Sequence, residues 1–183
     1  MSDRVYVILK INYVMLKYVL VLVMGCLALA GMAREPRRGY RGFVYWENAV
    51  GAMDYFDNSD GRTKYDMGVW MTGVSTVHGY QFNRHVYAGA GLMIAGATSV
   101  PEMMIPLFAD FRYDYGERRF MPFGDVRIGG YYEMLYFSPT VGFKLVTRYR
   151  GNLNVGAGLT LQTKYNGTRD TSAFFTLRVG ADF

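Results

Sequence analysis

The second half of the chain alternates between apolar and polar residues with a period of two. In the last segment, apolar residues occupy every second position from Ala173 to Phe183, and only Phe174 interrupts the polar and glycine positions between them. A period of two is typical of a β-strand whose two faces meet different surroundings. The segment 152–165 repeats the pattern, with a second face that is entirely polar or glycine. The pattern therefore predicts strands rather than helices.

Eight such segments follow one another, separated by turn-forming residues such as Asn83-Arg84 and Asn166-Gly167. In the first two, apolar residues occupy both odd and even positions. We attribute this to a bulge or a change of register, so we assign no faces there. Short turns between consecutive strands predict an antiparallel up-and-down order, and eight strands can close one barrel. The predicted strands span residues 40–52, 64–82, 85–97, 103–115, 121–133, 137–149, 152–165 and 172–183.

The first 33 residues predict a cleavable signal peptide. Residues 18–32 carry no charge, lysines precede them, and small residues stand at the expected cleavage position. The uncharged run is too short to cross a membrane as a helix. Because Met15 would open a signal of ordinary length, we expect translation to begin there. The predicted organisation is a signal peptide over 1–33 and one barrel domain over 34–183.

The composition fits a single all-β domain. The 183 residues include 22 glycines and only 5 prolines, and 16% are aromatic, which is too aromatic for a disordered chain and too rich in glycine for a helical bundle. Charged residues make up 19%, below the roughly 25% of soluble domains. The one cysteine, Cys26, lies inside the predicted signal peptide, so we expect no disulfide in the mature chain.

The direction of the apolar face separates two functions. A soluble barrel turns its apolar face inward, whereas a membrane barrel turns it outward, flanked by aromatic residues, and encloses a polar lumen. The predicted export signal and the final Phe183 favour the membrane barrel, and closure pairs every backbone group within the protein. Aromatic residues near strand ends favour it too: Tyr113, Tyr115, Tyr131, Tyr132, Tyr149 and Tyr165. We therefore predict an eight-stranded transmembrane β-barrel. The alternative is a secreted soluble barrel of lipocalin type that binds an apolar ligand.

Three stretches resemble the small outer-membrane β-barrel proteins common in Bacteroidetes. They are residues 79–83 (GYQFN), 87–92 (YAGAGL) and 106–113 (PLFADFRY). The architecture is similar to OmpA-type and OmpX-type eight-stranded barrels. The resemblance covers roughly residues 39–183 and implies a fold and an outer-membrane location, but little about activity.

The C-terminal sequence TLRVGADF resembles the signal read by the outer-membrane assembly machinery, in which a final aromatic residue is typical. The residues implied are Leu177, Val179, Ala181 and Phe183. The expected partners are this machinery, transiently, and outer-membrane lipids, while nucleic acid is not expected for an exported chain. Anionic headgroups would suit the basic residues Arg34, Arg37, Arg38 and Arg41.

The alternation also assigns side chains to lipid and lumen. The predicted lipid-facing residues include Phe111, Ile128, Phe143, Leu159 and Phe175. The predicted lumen residues are Asp110, Arg112, Asp114, Asp125, Arg127, Glu133, Lys144, Arg148, Lys164, Arg178 and Asp182. Eight strands leave a bore that side chains fill, and buried charges must be paired. We therefore predict a lumen plugged by ion pairs, with glycines making room for Arg and Lys, and a narrow ion-conducting path as the alternative.

The sequence does not favour catalysis. His78 and His85 flank a turn that we expect on the periplasmic side, and Ser75, three residues from His78, falls on the opposite face of its strand. A lipid A-modifying enzyme with a His/Ser pair is therefore a less favoured alternative. The acidic loop predicted over 53–65 fails the EF-hand pattern because Phe56 takes the first ligand position. We predict a structural or surface-interaction protein without cofactor, metal or catalytic residues.

Overall fold

The computed structural model describes residues 38–57, 62–98, 100–116, 119–147, 151–164 and 171–183. The predicted signal peptide lies outside these ranges, as do Arg148, Tyr149 and Tyr165. The described residues form nine strands: β1 (Gly39–Asp57), β2 (Arg62–Gln81), β3 (Val86–Ala97), β4 (Val100–Met104), β5 (Leu107–Asp114), β6 (Phe120–Tyr131), β7 (Met134–Val146), β8 (Asn152–Lys164) and β9 (Thr171–Asp182).

The sheet closes on itself as a barrel. Every paired strand is antiparallel, consecutive strands are neighbours, and β1 pairs with both β2 and β9. The exception is β4, which among the described strands pairs only with β3 and is separated from β5 by Ile105 and Pro106. A proline cannot donate to the ladder, but its carbonyl still accepts from Met93 N at 3.0 Å. β4 and β5 therefore form one barrel strand in two parts. The predicted all-β, eight-stranded antiparallel barrel is confirmed. No helix in the described ranges is long and apolar enough to cross a membrane.

The barrel has two distinct ends. At the terminal end, where β1 begins and β9 finishes, Gly42 and Phe183 exchange two backbone hydrogen bonds of 2.9 Å across the closing seam. The opposite end, here called the loop end, carries the long β1–β2 hairpin. The prediction of a loop over 53–65 is wrong, because the pairing of β1 with β2 continues along β1 to Asp57 and along β2 from Arg62. The intervals left between the predicted strands at 98–102 and 134–136 are also too long, since β4 begins at Val100 and β7 at Met134.

In the first two strands apolar residues occupy both odd and even positions, and this has two physical causes. The register shifts between Gly51 and Ala52, opposite Gly68, whose φ of 81° suits a glycine in a bulge. The predicted bulge is therefore confirmed, but it explains only one end of the hairpin. Along the rest of β1 both faces carry apolar residues because Phe43 and Tyr45 point into the barrel, where each is at most 2% exposed.

Candidate functional site

The outward face of the barrel is largely apolar where its side chains are described, and its polar exceptions include Thr72, His78 and Thr163. Phe111, Ile128, Phe143, Leu159 and Phe175 lie on this face and are 49–55% exposed. Every Arg, Lys, Asp and Glu on the described strand side chains has inward parity instead. This arrangement is the reverse of the one that the soluble, lipocalin-like alternative requires.

The inward face buries five basic and five acidic side chains, so the described interior has no net formal charge. They divide into two groups along the axis. The end cluster, near the terminal end, contains Arg41, Arg112, Asp114, Lys144 and Asp182. The central cluster contains Glu47, Asp110, Asp125, Arg127 and Arg178.

The end cluster holds three cations around two carboxylates. Arg41 contacts Asp182 through its Nε at 2.8 Å and Asp114 through its Nη1 at 3.1 Å. Arg112 Nε donates to Asp114 Oδ1 at 2.6 Å. Lys144 Nζ lies 3.6 Å from Asp114 Oδ2 and 3.9 Å from Asp182 Oδ2. The cluster therefore carries one excess positive charge.

The central cluster holds two cations among three carboxylates, which balances the end cluster. Glu47 bridges both arginines, accepting from Arg127 Nη1 at 2.5 Å and from Arg178 Nε at 2.9 Å. Arg178 Nη1 also reaches Asp125 Oδ1 at 3.0 Å. Arg127 Nε lies 3.8 Å from Asp110 Oδ2, a looser contact than the others.

Aromatic rings separate the two clusters. The Tyr45 hydroxyl accepts from Arg112 Nη1 at 2.8 Å, while the Arg127 guanidinium lies 5.0 Å from the Tyr45 ring centroid. Arg112 also lies 3.7 Å from the ring centroid of Phe123 and 4.9 Å from that of Phe43. Cation–π contacts of this kind stabilise a desolvated guanidinium, so the rings and the charges form one packed interior.

Toward the loop end much of the inward face is apolar, although Gln162 and Ser172 are buried there as well. Its apolar part, here called the apolar layer, consists of Val69, Met71, Met93, Ala95, Met104 and Phe174. The lumen predicted from the sequence contained only ion pairs, so this layer was not predicted. Phe174 was the one signal of it, since it interrupts the polar face of β9 and is 1% exposed in the lumen.

Some predicted residues lie elsewhere than expected or outside the two clusters. Glu133 was predicted in the lumen, but it is exposed in the turn after β6, which ends at Tyr131; this prediction is wrong. Lys164 is partly buried at the last position of β8, and Arg148 lies outside the described residues. Arg41 was expected to meet lipid headgroups, which is also wrong, because it is 2% exposed within the end cluster.

The glycines of the inward face make room chiefly for aromatic rings. A Cβ on Gly180 would lie 2.5 Å from the Tyr45 ring, one on Gly142 would lie 2.7 Å from the Phe123 ring, and one on Gly91 would lie 2.8 Å from the Phe108 ring. The expectation that these glycines accommodate long Arg and Lys side chains is corrected accordingly. The rings, in turn, support the guanidinium groups.

Ser75 and His78 lie on opposite faces of β2, as predicted. Ser75 is fully buried and donates to Glu47, whereas His78 is exposed on the outside. Hydrogen bonds join His78 to Thr76 Oγ1 at 2.8 Å and to the Tyr40 hydroxyl at 2.5 Å. Sequence reasoning missed these two neighbours. His85, at the terminal end, lies 2.8 Å from the Asp114 carbonyl through its Nδ1.

Phe183 and the other implied assembly-signal residues lie along the outward face of β9. Leu177 is 45% exposed, and Val179, Ala181 and Phe183 are partly exposed. The Phe183 ring covers Gly42, where a Cβ would lie 2.6 Å from its Cζ. In the described ranges no three His, Cys, Asp or Glu side chains form a metal-binding group; the side chains of the acidic segment 53–66 are outside that description.

The fold and interior define an eight-stranded antiparallel β-barrel with an ionic lumen and an apolar exterior. Among solved structures, it is similar to Neisserial surface protein A (NspA), with a TM-score of 0.50 over 77% of this chain and 95% of that chain. The sequence identity is 13%, so the similarity concerns the fold. No protein-family model and no curated protein matches the chain. Membership of an OmpA-type, OmpX-type or Bacteroidetes family stays a prediction.

Proposed function

We propose that this protein is an integral outer-membrane β-barrel with a plugged lumen and a structural or surface-interaction role, without catalysis. The observation that carries the proposal is the division of charge: the described strand side chains bear their charges inward and present an apolar face outward. In water this face would be costly at about 25 cal/mol per Å². In hydrocarbon it is the favourable surface.

The height of the apolar face supports a membrane location. On β9 the outward residues run from Ala173 to Phe183, a length of about 34 Å along the strand at about 3.4 Å per residue. A strand tilt of about 40° reduces this to about 26 Å along the barrel axis. Outer-membrane barrels carry an apolar band of about 25 Å. Exposed aromatic residues at the terminal end, including Tyr113, Tyr115 and Phe120, suit the edge of such a band.

The packing of the interior supports a plug. An open path would have to separate pairs that join non-adjacent strands across the lumen, such as Arg127–Glu47 at 2.5 Å and Arg178–Asp125 at 3.0 Å. Removing one partner of a buried pair costs about 3–5 kcal/mol, so the closed arrangement is strongly preferred. Phe43 and Tyr45 add rings between the clusters.

The surface role follows from where the chain extends beyond the barrel. An even number of strands places both termini at one end, which we assign to the periplasm, so the loop end faces outward. The β1–β2 hairpin is the longest feature there. The similar solved barrel is named a surface protein. The proposed partners are outer-membrane lipids and, during insertion, the assembly machinery that reads the chain's C-terminal residues.

Extraction of membranes with alkaline carbonate tests the location. We expect the barrel to stay in the outer-membrane pellet and to migrate differently on gels before and after heating. Release into the supernatant would contradict the proposal and support the soluble, ligand-binding alternative. A periplasmic protein and a porin followed in the same fractions provide the two reference behaviours.

Planar-bilayer recording of the refolded protein tests the plug. We expect no steady conductance steps, while a porin added afterwards to the same bilayer should give them. Steady ion-selective steps from the barrel itself would replace the plug with the channel alternative. The enzyme alternative has its own measurement, the mass spectrum of lipid A: a difference in acyl chains that disappears in His78→Ala would overturn the non-catalytic assignment.

A further inference from the structure

Two methionine sulfurs converge on one hydroxyl group at the loop end of the lumen. The Tyr131 hydroxyl lies 3.2 Å from Met104 Sδ and 3.1 Å from Met134 Sδ. Met104 is 4% exposed, and Tyr131 and Met134 are partly buried. The three residues come from β4, β6 and β7, so the closure of the barrel brings the two sulfurs together.

One hydroxyl cannot satisfy both sulfurs. A phenol carries a single O–H donor, so it donates to Met104 or Met134 at any moment, and the other thioether keeps its lone pairs unused. Thioether sulfur is a weak acceptor of hydrogen bonds but a good ligand for soft metal ions. The arrangement is therefore better matched to a soft cation between the sulfurs than to a hydroxyl proton.

The surroundings of these sulfurs select the charge of the cation. Met104 belongs to the apolar layer, which includes two further buried thioethers, Met71 and Met93, and Tyr131 packs against it. Moving an ion into an apolar site costs desolvation free energy, and this cost rises steeply with the charge of the ion. The charged group facing Met134 is itself a cation, since Lys164 is the register partner of Met134 and is partly buried, whereas Glu133 is exposed in the turn. Both the desolvation cost and the repulsion from Lys164 are smaller for a monovalent ion than for a divalent one.

We propose that Met104 and Met134 form a binding site for a soft monovalent cation of the Cu(I) class at the loop end of the lumen. Soft thioether ligands favour Cu(I) among biological metal ions, and a closed d shell imposes no coordination geometry of its own. Binding displaces the Tyr131 hydroxyl from the sulfurs and leaves its ring beside the ion, where a cation–π contact is favourable. The ion enters and leaves as Cu(I), so no redox step is involved.

Silver titration of the refolded barrel in chloride-free detergent buffer tests the site, with Ag(I) as a redox-stable probe of the same class. With ¹³C-methyl-labelled methionine, we expect one equivalent of Ag(I) to shift the methyl signals of Met104 and Met134. Loss of a bound ligand should cost at least as much affinity as loss of a supporting contact, about tenfold or more. Met104→Leu and Met134→Leu should therefore each weaken binding by this factor, and Zn(II) should produce no shift.

Matched variants separate the site from ordinary thioether chemistry. Met121→Leu removes an inward thioether at the terminal end and should leave the affinity unchanged. Leucine conserves the volume of methionine, and heat-modifiable migration verifies folding. Tyr131→Phe removes the competing hydroxyl and should retain or tighten binding. Unchanged affinity in the Met104→Leu/Met134→Leu double variant, or shifts confined to exposed Met67 and Met103, would overturn the proposal.

Discussion

At the scale of single residues, the two central arginines differ in how completely they are bonded. Arg178 has one acceptor for each of its five N–H groups, namely Glu47, Asp125, Tyr136, Ser138 and Thr140. Arg127 instead leaves its Nε and Nη2 without a hydrogen-bond partner, and its Nε lies 3.8 Å from Oδ2 of Asp110, whose Oδ1 also lacks a hydrogen-bond partner. Arg178 is therefore the residue on which the central cluster depends most.

Replacement of Arg178 by methionine should strongly destabilise the barrel. The change leaves the Glu47 and Asp125 carboxylates buried with one fewer cation, which costs about 3–5 kcal/mol of unfolding free energy. Urea unfolding in lipid vesicles, extrapolated to water, measures this quantity. Arg119→Met, at an exposed position outside the strands, is the control and should change stability by less than about 0.5 kcal/mol. A loss below about 1 kcal/mol in Arg178→Met would contradict the assigned role.

A second residue-scale prediction concerns Gly180, which lies against the Tyr45 ring. A Cβ at this position would lie 2.2 Å from the Val44 carbonyl oxygen and 2.5 Å from the Tyr45 ring, so Gly180→Ala should overpack the lumen and cost about 1–3 kcal/mol. Gly96→Ala on β3 is the matched control, since nothing lies within 4 Å of its Cβ, and it should be neutral or slightly stabilising. The same urea titration compares the two, and equal stabilities would argue against the close contact.

At the scale of elements, a strand could be predicted well where its two faces differ chemically. β8 and β9 were predicted over 152–165 and 172–183 and are observed over Asn152–Lys164 and Thr171–Asp182. One face of each meets the exterior and the other meets polar lumen, so the local period of two is sufficient. β1 gave no such signal, because Phe43 and Tyr45 line the lumen opposite an outward face that is also apolar.

The same reasoning explains which lumen residues were missed. Arg41 and Glu47 have the inward parity of Phe43 and Tyr45, so charge and ring alternate along one face and hide its polarity. Their burial is decided by partners that are remote in sequence: Glu47 binds Arg178, and Arg41 binds Asp182. No local pattern contains that information. Closure of the seam between β1 and β9 is what creates these contacts.

The outward face of β9 permits a prediction about the element as a whole. Leu177 lies in the middle of the apolar run and is 45% exposed, so Leu177→Arg should destabilise the barrel by about 2–4 kcal/mol if this position faces the middle of the bilayer. Thr163→Arg, near the loop end of β8 on the same face, should cost no more than about 1 kcal/mol because cost falls with distance from the midplane. Unfolding in vesicles measures both, and equal effects would contradict the proposed facing.

At the scale of the whole molecule, closing the barrel also neutralises the charge of its interior. The excess positive charge of the end cluster and the excess negative charge of the central cluster come together only when β1, β5, β6, β7 and β9 are in place, since these strands supply the charged residues. A partly assembled barrel would expose unpaired charges beside lipid, at a cost of several kcal/mol per ion. The interior therefore favours cooperative closure at the β1–β9 seam.

The C-terminal residue permits a prediction that separates stability from assembly. The Phe183 ring packs over Gly42, with its centroid 6.3 Å from that of His78, and stays partly exposed. Phe183→Ala should therefore cost only about 1 kcal/mol in the refolded barrel, roughly half the value for a fully buried side chain. If Phe183 is also read by the assembly machinery, the amount of heat-modifiable barrel in cell membranes should fall far more than this loss of stability explains. Phe183→Tyr should preserve both properties, and His78→Ala should remove a ring neighbour without changing the C-terminal sequence. An unchanged level of Phe183→Ala in the outer membrane would show that the residue serves only the seam, because in that case the ring contact would account for its whole effect.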